Sequence, residues 1–217
     1  MHSAHPKSRK EYAFIRSITT IMEEYIYIIL SRTETNVAKI IRLITKKPYN
    51  HCSVATDLSL DEMYSFCRTY KRFPLPATFN QESVGKGTFG EFPDIPCEIY
   101  RFNATPEQRR KFVNLIEHFK KNRLSYSYNI MGFWSIPFNL QIRRKNKFVC
   151  SQFVAYMLKE CGVTLEKSFL LYSPEDFRHM DDAELIYEGE LNRYHFRQKE
   201  RSELPNVSKK KRIPANQ

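Results

Sequence analysis

Phe148-Val149-Cys150-Ser151-Gln152-Phe153-Val154-Ala155-Tyr156-Met157-Leu158-Lys159-Glu160-Cys161-Gly162 is the stretch from which the rest of the chain is read. Val154, Met157, Leu158 and Cys161 recur at the spacing of one helical face, and Gly162 stands where a helix ends in a left-handed residue. Cys150 therefore opens a helix. A thiol there feels the partial positive charge of amides that have no partner in the preceding turn, which lowers its pKa and favours thiolate. The backbone amides of Cys150 and Ser151 are the groups that would hold the oxyanion of a tetrahedral intermediate.

Upstream of this helix the periodicity changes. Tyr25-Ile26-Tyr27-Ile28-Ile29-Leu30 is β-branched, aromatic and continuous, the pattern of a central strand buried on both sides. Val37, Ile40, Ile41 and Ile44 return at helical spacing, with Thr33 or Thr35 as the cap. His51–Thr56 and Met63–Cys67 are short strands around a hairpin turn, and Cys97–Phe102 is another. Thr105-Pro106 opens an amphipathic helix carrying Phe112, Leu115, Ile116 and Phe119. Lys71–Phe92, with its scattered Pro and Gly, reads as a loop. Its Gly85-Lys86-Gly87-Thr88 lacks the spacing of a phosphate-binding loop. Tyr126–Leu140 is aromatic and irregular, Arg143–Lys147 a basic turn, and Ala183–Leu191 a last strand. Strands followed by helices in one unit give an α+β class, a small antiparallel sheet or partial barrel packed against helices. The expected organisation is a basic arm or weak helix at 1–22, one domain over 23–198 and a basic, disordered tail at 199–217.

The 217 residues carry a formal net charge of +11, and its position limits what it means. Residues 1–20 contribute +3 and residues 193–217 contribute +6, so the body between them is close to neutral. Runs such as Lys209-Lys210-Lys211-Arg212 attract anionic surfaces without sequence selectivity, and no specific nucleic-acid partner is expected. No apolar run reaches the roughly 18 residues of a membrane span, and the first residues do not resemble a signal peptide, so the expected location is the cytoplasm. Five cysteines, widely spaced and without a C-x-x-C pair, argue for free thiols rather than a disulfide framework, and no metal or other cofactor is expected.

His51 follows Pro48-Tyr49-Asn50 at the start of a strand, where it can serve as general base if the fold brings it to a thiol. His2 and His5 lie in the arm, His118 on a polar helix face, and His179 and His195 in polar surroundings.

Tyr49-Asn50-His51-x-Ser53, Asp57-Leu58, Met63-Tyr64-Ser65-Phe66 and Phe148-Val149-Cys150-Ser151-Gln152-Phe153-Val154 together resemble the circularly permuted NlpC-type papain-like hydrolases, nearest to the YiiX-like cysteine peptidases. The resemblance covers roughly residues 24–190. It implies a papain-like fold in which the histidine strand precedes the cysteine helix. It implies Cys150 as nucleophile and His51 as base in a cysteine hydrolase acting on a peptide, amide or acyl substrate. The family's third polar residue orients the imidazole from the next strand. Ser65 is the nearest match, with Glu62 as the alternative, and the five-residue loop Thr56–Leu60 is expected to set Ser65 opposite His51. Tyr126 or Tyr128 is a further oxyanion donor. Two other readings stay open: a thioester acyltransferase of the lecithin:retinol acyltransferase type, and a non-catalytic module that binds through the same groove.

Overall fold

The computed structural model describes residues 24–34, 39, 42–43, 46–70, 75–87, 89–90 and 94–203. The arm at 1–22, the stripe Val37, Ile40, Ile41 and Ile44, and residues 204–217 lie outside these. The architecture is mixed α+β around a six-stranded antiparallel sheet. Its strands are β1 (Glu24–Ser31), β2 (His51–Ala55), β3 (Met63–Arg68), β4 (Ala77–Glu82), β5 (Pro96–Ala104) and β8 (Ala183–Glu190), in the order β4-β3-β2-β1-β5-β8. A short parallel pair, β6 (Ser127–Tyr128) and β7 (Lys147–Phe148), stands apart.

Central β1 explains its own sequence. Ile26, Ile28 and Leu30 enter one core with Phe112, Ile116 and Phe119 of helix α1 (Pro106–Lys121) and Phe153, Val154, Met157 and Leu158 of helix α3 (Cys150–Glu160). Tyr27 and Ile29 enter a second core on the other face, with Met63, Ile95 and Ile99. A strand covered on both faces has no solvent side, so its pattern runs apolar without alternation. Aromatic rings knit the first core: Phe153 meets Phe119 edge-on at 5.1 Å between centroids and tilts against Phe66 at 5.4 Å.

Both helix termini read from sequence have a physical basis. Thr105 accepts from the Gln108 N–H at 3.2 Å while Gln108 Oε1 accepts from the Thr105 N–H at 2.9 Å, a reciprocal cap. Helix α3 closes with Gly162 at φ +86°, where the Gly162 N–H donates to Lys159 O and the Val163 N–H to Leu158 O. That pairing satisfies two carbonyls left over by the last turn.

Three expectations need correction. Residues 77–82, read as loop, form edge strand β4, paired along its length with β3. Proline is tolerated just outside an edge strand, so Pro74 and Pro76 do not forbid it. The region expected to be a tail from 199 begins inside helix α4 (Leu191–Glu203), whose first turn buries Leu191 and Tyr194 in the second core. Within 126–140, Ile130–Ser135 form a short helix, α2.

Candidate active site

The pairing of β2 with β3 covers only Val54↔Tyr64 and Ala55↔Met63. Toward His51 the two strands carry no mutual pairing, and the N-terminus of α3 comes in at that end. There the Cys52 backbone N–H, without a β3 partner, and the Cys52 thiol come to the sulfur of Cys150 and favour its ionised form. His51 is the third group beside the sulfur, and its ring and the Cys150 thiol shift each other's ionisation. Both Cys150 and His51 are almost closed off, at 7 % and 9 % exposure.

The ring is held from the other side by Glu82. Its two carboxylate oxygens each lie 3.1 Å from His51 Nε2. Nε2 is therefore taken, which leaves Nδ1 to face the sulfur. Ser53 buttresses the pair, donating from Oγ to Glu82 Oε2 at 2.7 Å and lying 3.3 Å from His51 Nε2. Phe89 sets its ring edge-on to the imidazole at 6.1 Å between centroids.

These contacts fix the charges. The hydrogen bond from the Cys52 thiol, joined by the hydrogen bond and charge of His51, outweighs burial and draws the Cys150 thiol well below its ordinary pKa. Burial opposes charging of His51, yet the Glu82 carboxylate and the bonds to Cys150 and Glu82 carry the imidazole well above its ordinary value. Burial also resists ionisation of Glu82, but the His51 charge and the hydrogen bonds of His51, Ser65 and Ser53 hold its carboxyl below the usual range. Cys52 moves the opposite way: burial and the neighbouring Cys150 keep it a thiol, as its donor role requires. These directions together favour thiolate, imidazolium and carboxylate in sequence.

The helix end is built to stay open. Val149 occupies the N-cap with an aliphatic side chain that cannot accept a hydrogen bond, so the first amides of α3, those of Cys150 and Ser151, keep no side-chain acceptor at the cap. A polar cap residue adds about 1 kcal/mol to a helix, and its absence here leaves the amides for an oxyanion. What fixes the helix start instead is a buried amide network. Gln152 Oε1 accepts from the Val149 N–H and from Asn129 Nδ2, both at 3.2 Å, and Gln152 Nε2 donates to Leu170 O at 2.8 Å. Asn129 Oδ1 accepts from the Gly132 N–H at 2.9 Å. A Cβ on Gly132 would stand 2.2 Å from Asn129 Nδ2 and 2.9 Å from Gln152 Nε2. Gly132→Ala is therefore expected to break the Asn129–Gln152 bond at a cost of about 2 to 3 kcal/mol from overpacking and a lost buried hydrogen bond. Thermal melting should show a fall of roughly 5 to 10 °C; an unchanged melting temperature would mean that the network does not anchor α3.

The remaining expected residues divide. Tyr128 lies beside the site: burial, then the neighbouring Cys150, Cys52 and Cys67, push its hydroxyl well up, so it stays protonated and able to donate. Tyr126 does not belong there; its ring tilts against Phe119 at 4.6 Å between centroids and its hydroxyl meets His118 Nε2 at 3.2 Å. Glu62 is also remote, its carboxylate bonded to the Tyr64 hydroxyl and 3.8 Å from Lys120 Nζ. Ser65 does not orient the imidazole. The observed hairpin closes through 56–62, so the register extended from Val54↔Tyr64 sets Ser65 across from Ser53, not His51. Its buried hydroxyl makes no hydrogen bond of ordinary geometry, although it lies close enough to Glu82 to help hold the carboxylate. Glu82 and Cys52 are the residues the sequence reading missed.

No metal-ligating cluster of three or more His, Cys, Asp or Glu occurs among the described residues. A surface cavity of about 730 Å³, lined by Glu24, Tyr27, Asp57, Arg109 and Arg110 among others, opens at the opposite ends of β1 and β2 and includes neither Cys150 nor His51. Compared with known proteins, the chain matches no family model and no curated sequence.

Proposed function

We propose that this protein is a cysteine hydrolase of papain-like type, cleaving an amide or related acyl bond through a thioester on Cys150. The observation that carries the reading is the line of Cys150 sulfur, His51 ring and Glu82 carboxylate, with charges matched to nucleophile, acid–base and orienting group. Its order along the chain, histidine strand before cysteine helix, agrees with the resemblance to the permuted NlpC-type hydrolases.

In the reaction, the Cys150 thiolate attacks the substrate carbonyl carbon, and the oxyanion is received by the Cys150 and Ser151 amides. Tyr128, beside Cys150, is the side chain we assign as a further donor there. The imidazolium gives its proton to the departing amine as the C–N bond breaks, leaving the acyl-thioester. Neutral His51 then takes a proton from water, whose oxygen attacks the thioester. Breaking the C–S bond releases the acid and restores the thiolate–imidazolium pair. Glu82 keeps the ring in one orientation and stabilises its charged form throughout.

Alkylation tests the reading without knowledge of the substrate. Iodoacetamide at pH 6 is expected to label Cys150 well before Cys52, Cys67, Cys97 or Cys161, as mapped by peptide mass spectrometry. Burial raises the pKa of each of those four, which keeps them protonated. Peptidyl and acyl electrophile probes should mark wild type and not Cys150→Ala. Labelling of Cys150 no faster than the other thiols at pH 6 would remove the nucleophile assignment.

A further inference from the structure

Charge within the body is not evenly spread. From His118 to Lys159 the chain holds eight Lys and Arg and not one Asp or Glu, while the body as a whole is near neutral. This stretch contains the approach to Cys150. The parallel pair β6–β7 ties its middle into a closed excursion: the Ser127 N–H donates to Asn146 O at 3.0 Å and the Asn129 N–H to Phe148 O at 2.9 Å. Residues 130–146 therefore leave and return at one place, and the return point lies two residues before Cys150.

The excursion and its root carry apolar side chains in solvent. Of the ten large hydrophobic residues exposed among the described residues, five lie within 124–140: Leu124, Ile130, Met131, Phe138 and Leu140. Leu124 is 99 % and Phe138 71 % exposed. Scattered exposed apolar residues are ordinary, but a concentration of them beside basic side chains marks an interaction surface. Arg143, Arg144 and Lys145 are exposed on the same excursion, directly after Leu140.

From this juxtaposition we infer that the 124–145 excursion docks on an anionic lipid bilayer, with its apolar side chains entering the interface and its basic ones meeting lipid phosphates. Charge complementarity selects an anionic partner, because no acidic residue in the stretch would repel it. The Ile, Met and Leu side chains select a bilayer over a polyanion in water. They gain from leaving water at an acyl boundary, whereas a nucleic acid would leave them wet. Docking there brings the α3 N-terminus to the membrane surface.

The test is vesicle sedimentation of the full chain, and it reads no turnover, so it stands or falls apart from the thiol chemistry. Phosphatidylcholine vesicles containing 30 % phosphatidylglycerol should pellet the protein, and phosphatidylcholine alone should do so at least tenfold more weakly. Phe138→Ser with Leu140→Ser, and separately Arg143→Gln with Arg144→Gln and Lys145→Gln, should each lower partitioning at least tenfold while the melting temperature stays unchanged. Absence of binding to the anionic vesicles overturns the inference. So does binding that survives both sets of substitutions, which would assign it to the basic runs at the chain ends. A duplex oligonucleotide that binds as tightly as the vesicles and ignores the serine substitutions overturns it too, and puts a nucleic acid on this face.

Discussion

His51→Ala is expected to slow alkylation of Cys150 at pH 6 by a hundredfold or more. In the wild type three groups favour ionisation of the sulfur: the Cys52 thiol, the His51 ring and the Cys52 backbone N–H. Removing the ring takes away the positive charge that faces the sulfur and leaves the burial that favours neutral thiol. Each unit by which the thiol pKa rises costs tenfold in thiolate at a pH below it. The profile of rate against pH should therefore move to higher pH, and the loss should shrink as the pH approaches 9. Turnover should fall further than alkylation, by roughly 10³ to 10⁴, since the proton donor to the leaving amine and the later base are lost together. Cys150 labelled at pH 6 as fast in His51→Ala as in wild type would show that the helix end and Cys52 alone create the thiolate. Cys52 makes that a sharp comparison, because its two hydrogen bonds persist in the variant.

The chain is legible where one physical signal dominates. Helix α3 announces itself through a stripe of Val154, Met157, Leu158 and Cys161 with glycine at its end, and β1 through a continuous apolar run. His51 and Cys150 stand at the ends of such elements, so their roles follow from local pattern joined to the resemblance. Glu82 does not follow. Its strand is six residues at the sheet edge, between prolines and glycines, and only Ala77-Thr78-Phe79-Asn80 shows the alternation of a strand. Beyond Asn80 the pattern breaks, because Gln81 is exposed and Glu82 is buried as a charged residue that only a tertiary partner can satisfy. The partner is His51, thirty-one residues away, and local periodicity does not encode that distance. The error over Ser65 is one of register: seven residues close the hairpin where five were expected, which sets Ser65 across from Ser53, while the orienting carboxylate comes from the next strand, β4.

Glu82→Gln is the second large effect, and it separates the role of charge from that of shape. Gln keeps the length of the side chain and an acceptor oxygen for Ser53 Oγ and for one His51 N–H, so the fold is expected to hold. Glu82→Ala, by contrast, would leave a buried imidazolium unpaired at a cost of about 3 to 5 kcal/mol. What Gln removes is the negative charge that carries His51 above its ordinary pKa against burial. Without it the ring loses its proton at lower pH, and the thiolate loses the cation that stabilises it, so the Cys150 pKa rises. Alkylation at pH 6 should fall about tenfold for each unit of that rise, and the profile should shift to higher pH, as in His51→Ala but less far. Under the proposed reaction, amide turnover should drop by 10² or more, because without the carboxylate charge less of His51 carries the proton that the leaving amine needs. Ser65→Ala serves as the internal control. Its hydroxyl is one of several lesser supports of the Glu82 carboxylate, so its loss should change rate and melting temperature less than Glu82→Gln does. If Ser65→Ala proved as damaging as Glu82→Gln, the carboxylate would owe its placement to that hydroxyl. If Glu82→Gln left both the alkylation profile and turnover unchanged, the carboxylate would be structural and the imidazolium would be held by the thiolate alone.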